Sequence, residues 1–181
     1  MRLYRAKVPD IATEVIKRLT EAEAIEVDSF NRSEAEKDLV AIMENYLREN
    51  RRIREEVHDY MERNSIQYIE FGKQLNRRAK RRNHPLGEQV EIFLANQFIN
   101  NFFNSPFYDE VFVTDSDLRK SIVEILREFH VDEAVLHQIA RQRLSNMSED
   151  DAGYHIRYEE ELKKIRIEHG LIRERSGRSS Q

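Results

Sequence analysis

Ser33-Glu34-Ala35-Glu36-Lys37-Asp38-Leu39-Val40-Ala41-Ile42-Met43-Glu44-Asn45-Tyr46-Leu47 is the stretch that decides the fold. Its apolar residues Leu39, Ile42, Met43, Tyr46 and Leu47 recur with the i, i+3, i+4 spacing of an amphipathic helix, not the alternation of a strand. Ser33 stands three residues ahead of Glu36, the capping-box pattern, so the helix is expected to open there. Continued at 3.6 residues per turn, the stripe places Asn50 in the middle of the apolar face. A buried amide without a partner is costly, so a break or kink is expected over residues 48–51. A further helix then carries Ile53, Val57, Tyr60 and Met61.

The same pattern returns 83 residues later, where Leu39, Ile42, Met43 and Tyr46 fall on Ile122, Ile125, Leu126 and Phe129. Thr114 or Ser116 is placed to cap this second helix. Asn50 maps to Glu133, another polar residue on an apolar stripe, so a break is expected near Asp132 as well. Working outward, Val8, Ile11, Ala12, Val15, Ile16 and Leu19 form an opening helix with Pro9 in its first turn. Val90, Phe93, Leu94, Phe98, Ile99 and Phe102 form its counterpart. Short extended pieces are read at residues 24–27 and 108–113. A helix through Tyr68, Phe71, Leu75 and Ala79 closes the first half before Pro85. One through Tyr154, Tyr158, Leu162 and Ile165 closes the second, capped by residues 148–151 and ended by Gly170.

These matches predict an all-α protein of two tandem helical pseudo-repeats, residues 1–83 and 84–175, with a disordered tail at 176–181. Each half alone would be marginal, so the two are expected to share a core. The two extended pieces would pair as a short two-stranded ribbon.

Composition fits this reading. The chain has 181 residues, 39% hydrophobic and 35% charged, with a mean hydropathy of −0.76. Five Gly and three Pro argue against a turn-dense β-sandwich. No apolar run approaches the ~20 residues of a membrane span, and no signal peptide opens the sequence. With no Cys there are no disulfides and no thiol nucleophiles, which fits a cytoplasmic location. Gly-rich phosphate loops, nucleophile elbows and His-Glu-x-x-His helices are missing, so a non-enzymatic protein without cofactor or metal is expected.

The opening Met1-Arg2-Leu3-Tyr4-Arg5-Ala6-Lys7-Val8-Pro9 resembles the start of a bacterial family known as domain of unknown function 507. Ile25-Glu26-Val27, Glu110-Val111-Phe112 with Leu118-Arg119-Lys120, Tyr158-Glu159-Glu160-Glu161-Leu162-Lys163-Lys164-Ile165 and Gly170-Leu171 fit in order and spacing. The likeness is to a longer, duplicated form of that family, although a Trp expected before the last helix is replaced by residues 148–154. The resemblance implies an all-helical bacterial cytoplasmic protein and carries no activity or site residues with it.

Charge is uneven along the chain. Residues 1–83 hold 18 Lys and Arg against 16 Asp and Glu, while residues 84–181 hold 12 against 18. Between Lys73 and His84 lie Lys73, Arg77, Arg78, Lys80, Arg81 and Arg82 with no acid among them. On a helix whose seam is Tyr68, Phe71, Leu75 and Ala79, residues Lys73, Arg77 and Lys80 face outward. Arg78 and Arg81 flank them, and Arg82 approaches the core side. Such a stripe would neutralise phosphates of a nucleic acid in a salt-sensitive way. No aromatic is interleaved to stack on bases, and a solvated connector balancing nearby acids is the competing account.

Two other groups stand out in the sequence. His130, Glu133 and His137 would share a face only on a continuous helix, and the break near Asp132 argues for surface histidines over a metal site. Phe98, Phe102, Phe103, Phe107, Tyr108 and Phe112 have the spacing of core or repeat packing, ahead of a small-molecule pocket. The expected function is therefore a protein-interaction module, an adaptor or scaffold for a protein partner or for a second copy of itself. The alternative is a nucleic-acid-associated protein using the basic run 73–84.

Overall fold

The computed structural model describes residues 1–148, 151 and 153–172. A 3₁₀ turn at Arg5–Lys7 leads into α1 (Val8–Glu21), followed by β1 (Ile25–Glu26) and α2 (Arg32–Arg63). A second 3₁₀ turn at Tyr68–Glu70 leads into α3 (Phe71–Arg81). Then come α4 (Gln89–Asn104), β2 (Glu110–Val111), α5 (Asp115–Glu128), α6 (Glu133–Arg143) and α7 (Tyr154–Glu168). The all-α expectation holds, and the ribbon is present: β1 and β2 pair antiparallel, Ile25 opposite Val111 and Glu26 opposite Glu110. No helix among the described residues is long and apolar enough to cross a membrane.

Several boundaries follow directly from local chemistry. The Thr114 hydroxyl accepts the Asp117 N–H at 3.3 Å and caps α5. The Asp132 carboxylate accepts the Ala134 N–H at 2.9 Å and caps α6, so the expected break lies between α5 and α6. After α7, Gly170 at φ +63° turns the chain. Its N–H reaches the Ile167 carbonyl, and the Leu171 N–H reaches that of Arg166, both at 2.8 Å. Those are the two bonds of a Schellman closure, and they fold Leu171 back into the core.

Two expectations at α2 are corrected. The capping box is not used, because the helix starts ahead of Ser33. Asp28 builds a turn in which its carboxylate accepts the Phe30 N–H and its carbonyl accepts those of Asn31 and Arg32. Glu36 instead accepts from Thr13 and Arg32. The break over residues 48–51 is also absent, since α2 runs unbroken for 32 residues, about 48 Å at 1.5 Å per residue. Its N-terminal half buries Ala35, Leu39, Met43 and Tyr46 in one apolar cluster, and its C-terminal half buries Ile53, Val57 and Met61 in another. Asn50 sits half-buried at the step between them, so the polar residue marks a change of core and not a break in the backbone.

The chain forms two compact units, Met1–Leu3 with Val8–His130, and Tyr4–Lys7 with the described residues from Val131 onward. These units cut the chain at a different place from the 83/84 boundary, because α4 and α5 lie in the same unit as α1, α2 and α3. In the larger unit, Ile11 and Val15 of α1, Leu39 and Met43 of α2, Leu94 and Phe98 of α4, and Leu118, Ile122 and Leu126 of α5 share one core. Arg18 on α1 adds a paired contact to Glu128 on α5, at 2.6 and 2.5 Å. The smaller unit is built on Tyr4, Leu136, Ala140, Leu162, Ile165 and Leu171. Arg166 of α7 reaches Glu133 of α6 at 2.9 Å beside that core. The expected tail 176–181, and residues 149, 150 and 152 of the expected cap on the last helix, lie outside the described residues.

Candidate functional site

The basic run sits on α3, which packs antiparallel against the C-terminal half of α2. Leu75 and Ala79 form its buried face, meeting Ile53, Val57 and Met61, with Phe71, Ile66 and Leu86 closing the sides. Burying an 11-residue helix on one leucine and one alanine leaves most of its circumference to water, and that circumference is cationic.

The six cations fall into two classes. Arg82, at the C-cap, turns back onto α2 and donates to Glu49 at 2.9 Å and to both oxygens of Glu56 at 2.7 and 2.9 Å. Lys73 pairs with Glu70 one turn earlier at 3.1 Å, and Arg78 approaches Glu56 at 3.7 Å. Arg77, Lys80 and Arg81, in contrast, are exposed, and their side chains have no ion pair or hydrogen bond among the described residues. The competing account, a run neutralised by nearby acids, therefore describes Lys73, Arg78 and Arg82 but not these three.

Arg77, Arg78 and Arg81 line a shallow groove of about 100 Å³ between α3 and α2, together with Gln74, Val57 and Tyr60. Tyr60 is spaced for the apolar stripe of its helix, yet it is 39% exposed and contributes a ring to the groove wall. The aromatic missing from the run in sequence thus comes from the neighbouring helix. Its only signal was its position three residues after Val57, at the margin of the stripe and not at its centre. Lys80 lies outside the groove.

The opposite flank of the hairpin is aromatic. His58 meets Phe71 at 4.5 Å in a tilted contact and stacks at 6.4 Å on Tyr68, while the Arg54 guanidinium lies 6.0 Å over the Phe71 ring. Burial lowers the proton affinity of Arg54, and the Arg2 charge adds to this.

His84 anchors the chain leaving α3. Its ring stacks on Tyr46 at 4.8 Å, and the Tyr46 hydroxyl donates to the Pro85 carbonyl at 3.2 Å. Burial pushes the Tyr46 hydroxyl up to about 12. Burial also lowers the His84 value below its usual 6.5, with Glu49 opposing more weakly. The unfolded chain therefore takes up this proton first, so the stability is present above about pH 6.5 and is lost as pH falls through the folded value. Urea midpoints of the wild type and His84→Phe, measured from pH 7.5 to 5, are expected to diverge below 6.5, with the wild type falling further.

A family model described as protein of unknown function (DUF507) matches residues 1–171. The chain belongs to the DUF507 family. A search of the curated proteins returns no match, so no residue of this DUF507 chain inherits a role from a relative.

The remaining candidates separate. His130 follows α5 in the larger unit, whereas Glu133 and His137 belong to α6 in the smaller one. Glu133 accepts from Arg166, and His137 Nδ1 lies 2.6 Å from the Tyr158 hydroxyl. Among the described residues of the DUF507 chain, no group of three His, Asp or Glu side chains is placed to hold a metal ion. Of the aromatic set, Phe98, Phe102 and Tyr108 are buried, as packing requires, and the Tyr108 hydroxyl donates to the Ala35 carbonyl at 3.1 Å. Phe103 and Phe112 are more than half exposed.

Proposed function

We propose that the protein is a non-enzymatic binding protein that engages the phosphates of a nucleic acid through α3. One observation carries the reading: Arg77, Lys80 and Arg81 stand together on an exposed flank without acidic partners among the described residues, while Lys73 and Arg82 on the same helix are paired. Leaving three adjacent cations unpaired gains nothing for the fold, because exposed ion pairs are worth little and like charges one turn apart repel. A polyanion supplies the missing counter-charge and releases its own condensed cations on binding.

The test is a salt series with the full chain against labelled duplex DNA, single-stranded DNA and RNA. With two or three phosphates engaged, duplex affinity should fall about tenfold to fortyfold between 50 and 200 mM salt. The absence of binding at 50 mM salt would overturn the reading.

A second reading, an adaptor presenting a helical surface to a protein or to itself, draws on Phe30 and Ile69, which are 90% and 87% exposed. Sedimentation after nuclease treatment separates the two, since self-association through apolar contacts survives the nuclease.

A further inference from the structure

We infer that the groove between α2 and α3 is a seat for a terminal phosphate, the phosphomonoester end of a nucleotide chain, with Tyr60 against the adjoining sugar or base. This deepens the reading above and rests on it, replacing a diffuse stripe by one subsite of stated chemistry.

Charge gives the first argument. Three guanidinium groups, those of Arg77, Arg78 and Arg81, line the groove, and Glu56 approaches one of them, Arg78. Both Glu56 oxygens already accept from Arg82 at 2.7 and 2.9 Å, so its contact with Arg78 at 3.7 Å is longer than a hydrogen bond. The groove therefore holds an excess of positive charge. A bridging phosphodiester brings one negative charge, whereas a phosphomonoester brings roughly 1.5 to 2 at neutral pH together with three acceptor oxygens.

Geometry gives the second. Arg77 and Arg81 are one helical turn apart, so their side chains leave the same face and reach one point from two directions. Planar guanidinium forks match phosphate oxygens pairwise, which a lysine in either place would not do. Gln74, a turn earlier than Arg78, adds an amide to the same wall.

Shape gives the third. The groove is shallow and local, its wall formed by a few side chains of two helices, and one phosphate with the edge of a ring can sit in it. Val57 offers an apolar surface, and the half-exposed Tyr60 ring can stack on any base or cover a sugar. On the opposite flank of this hairpin the Arg54 guanidinium already lies over the Phe71 ring, whereas in the groove the Tyr60 ring stands beside cations that have no such partner.

The experiment compares one oligonucleotide carrying a 5′-phosphate, a 3′-phosphate or hydroxyl groups at both ends, titrated against the full chain at 100 mM salt. A mononucleotide and inorganic phosphate serve as competitors. The expected result is at least tenfold tighter binding of a phosphorylated end. Arg77→Gln and Arg81→Gln should abolish that preference and Tyr60→Ala should reduce it. Lys80→Gln, the same charge change on the same helix outside the groove, should weaken all three oligonucleotides alike and leave the preference for a phosphorylated end intact. Competition by the mononucleotide well below the concentration needed for inorganic phosphate would show that the ring is read along with the phosphate. Equal affinity for all three oligonucleotides, with a normal salt slope, would overturn the groove assignment while leaving the nucleic-acid reading standing. Loss of the preference in Lys80→Gln would overturn it too. No binding to any of the three would overturn both.

Discussion

Phe98→Ala is expected to destabilise the larger unit by about 3–5 kcal/mol, read as a lowered urea midpoint at unchanged slope. Phe98 is fully buried in the middle of α4, in the core shared with α1, α2 and α5. Truncation removes the transfer free energy of a phenyl ring and leaves a void. Collapse into that void would require helices held by their own contacts to move. One such contact is the Tyr108 hydroxyl on the Ala35 carbonyl. Phe98→Leu should cost far less because most of the volume is kept. A loss below about 1 kcal/mol for the alanine variant would show that the helices close over the site, and that α4 is not held as firmly as its burial implies.

Leu162→Ala is the second large effect. The core of the smaller unit has six buried residues, and Leu162 is among its most deeply buried members. A Leu→Ala change costs about 2–5 kcal/mol, a large share of what so small a cluster can supply. Amide hydrogen exchange in α6 and α7 should accelerate at least about thirtyfold, the lower end of that range. Amides of α4 and α5 serve as the internal reference, and Leu162→Met, which keeps the volume, should restore most of the protection. Unchanged exchange in α6 and α7 would mean that the Arg166–Glu133 and Arg143–Glu168 contacts, at 2.9 and 2.7 Å, hold that pair of helices without the leucine.

The fold was legible wherever a single element carried its own signal. The stripe over residues 8–19, the Thr114 cap and the Gly170 closure are local patterns with local causes, and each stands where it was read. The capping box at Ser33 was misread because a stronger local device, the Asp28 turn, brought the chain into helical register earlier. Asn50 was misread because periodicity assumes one core per helix, and α2 serves two. The candidate site was half legible. Its cations are contiguous in sequence, but which of them are neutralised depends on Glu49 and Glu56, 33 and 26 residues from Arg82. Tyr60 could not be assigned to the groove either, because its partners Gln74, Arg77 and Arg81 are set by how the turn at residues 64–70 registers α3 against α2.

The unbroken α2 has a bearing on motion. Beyond Asn50 it is held by a satellite cluster whose buried members are Ile53, Val57, Met61 and Leu75. That segment and α3 should therefore open as a separate cooperative unit, at a lower free energy than the main core. Anything lodged between the two helices would bind only the closed form and would suppress that opening by a factor of one plus the ratio of free ligand concentration to Kd. The breathing of this hairpin thus becomes an internal gauge of ligand binding, readable amide by amide from Ile53 to Arg81 without a label.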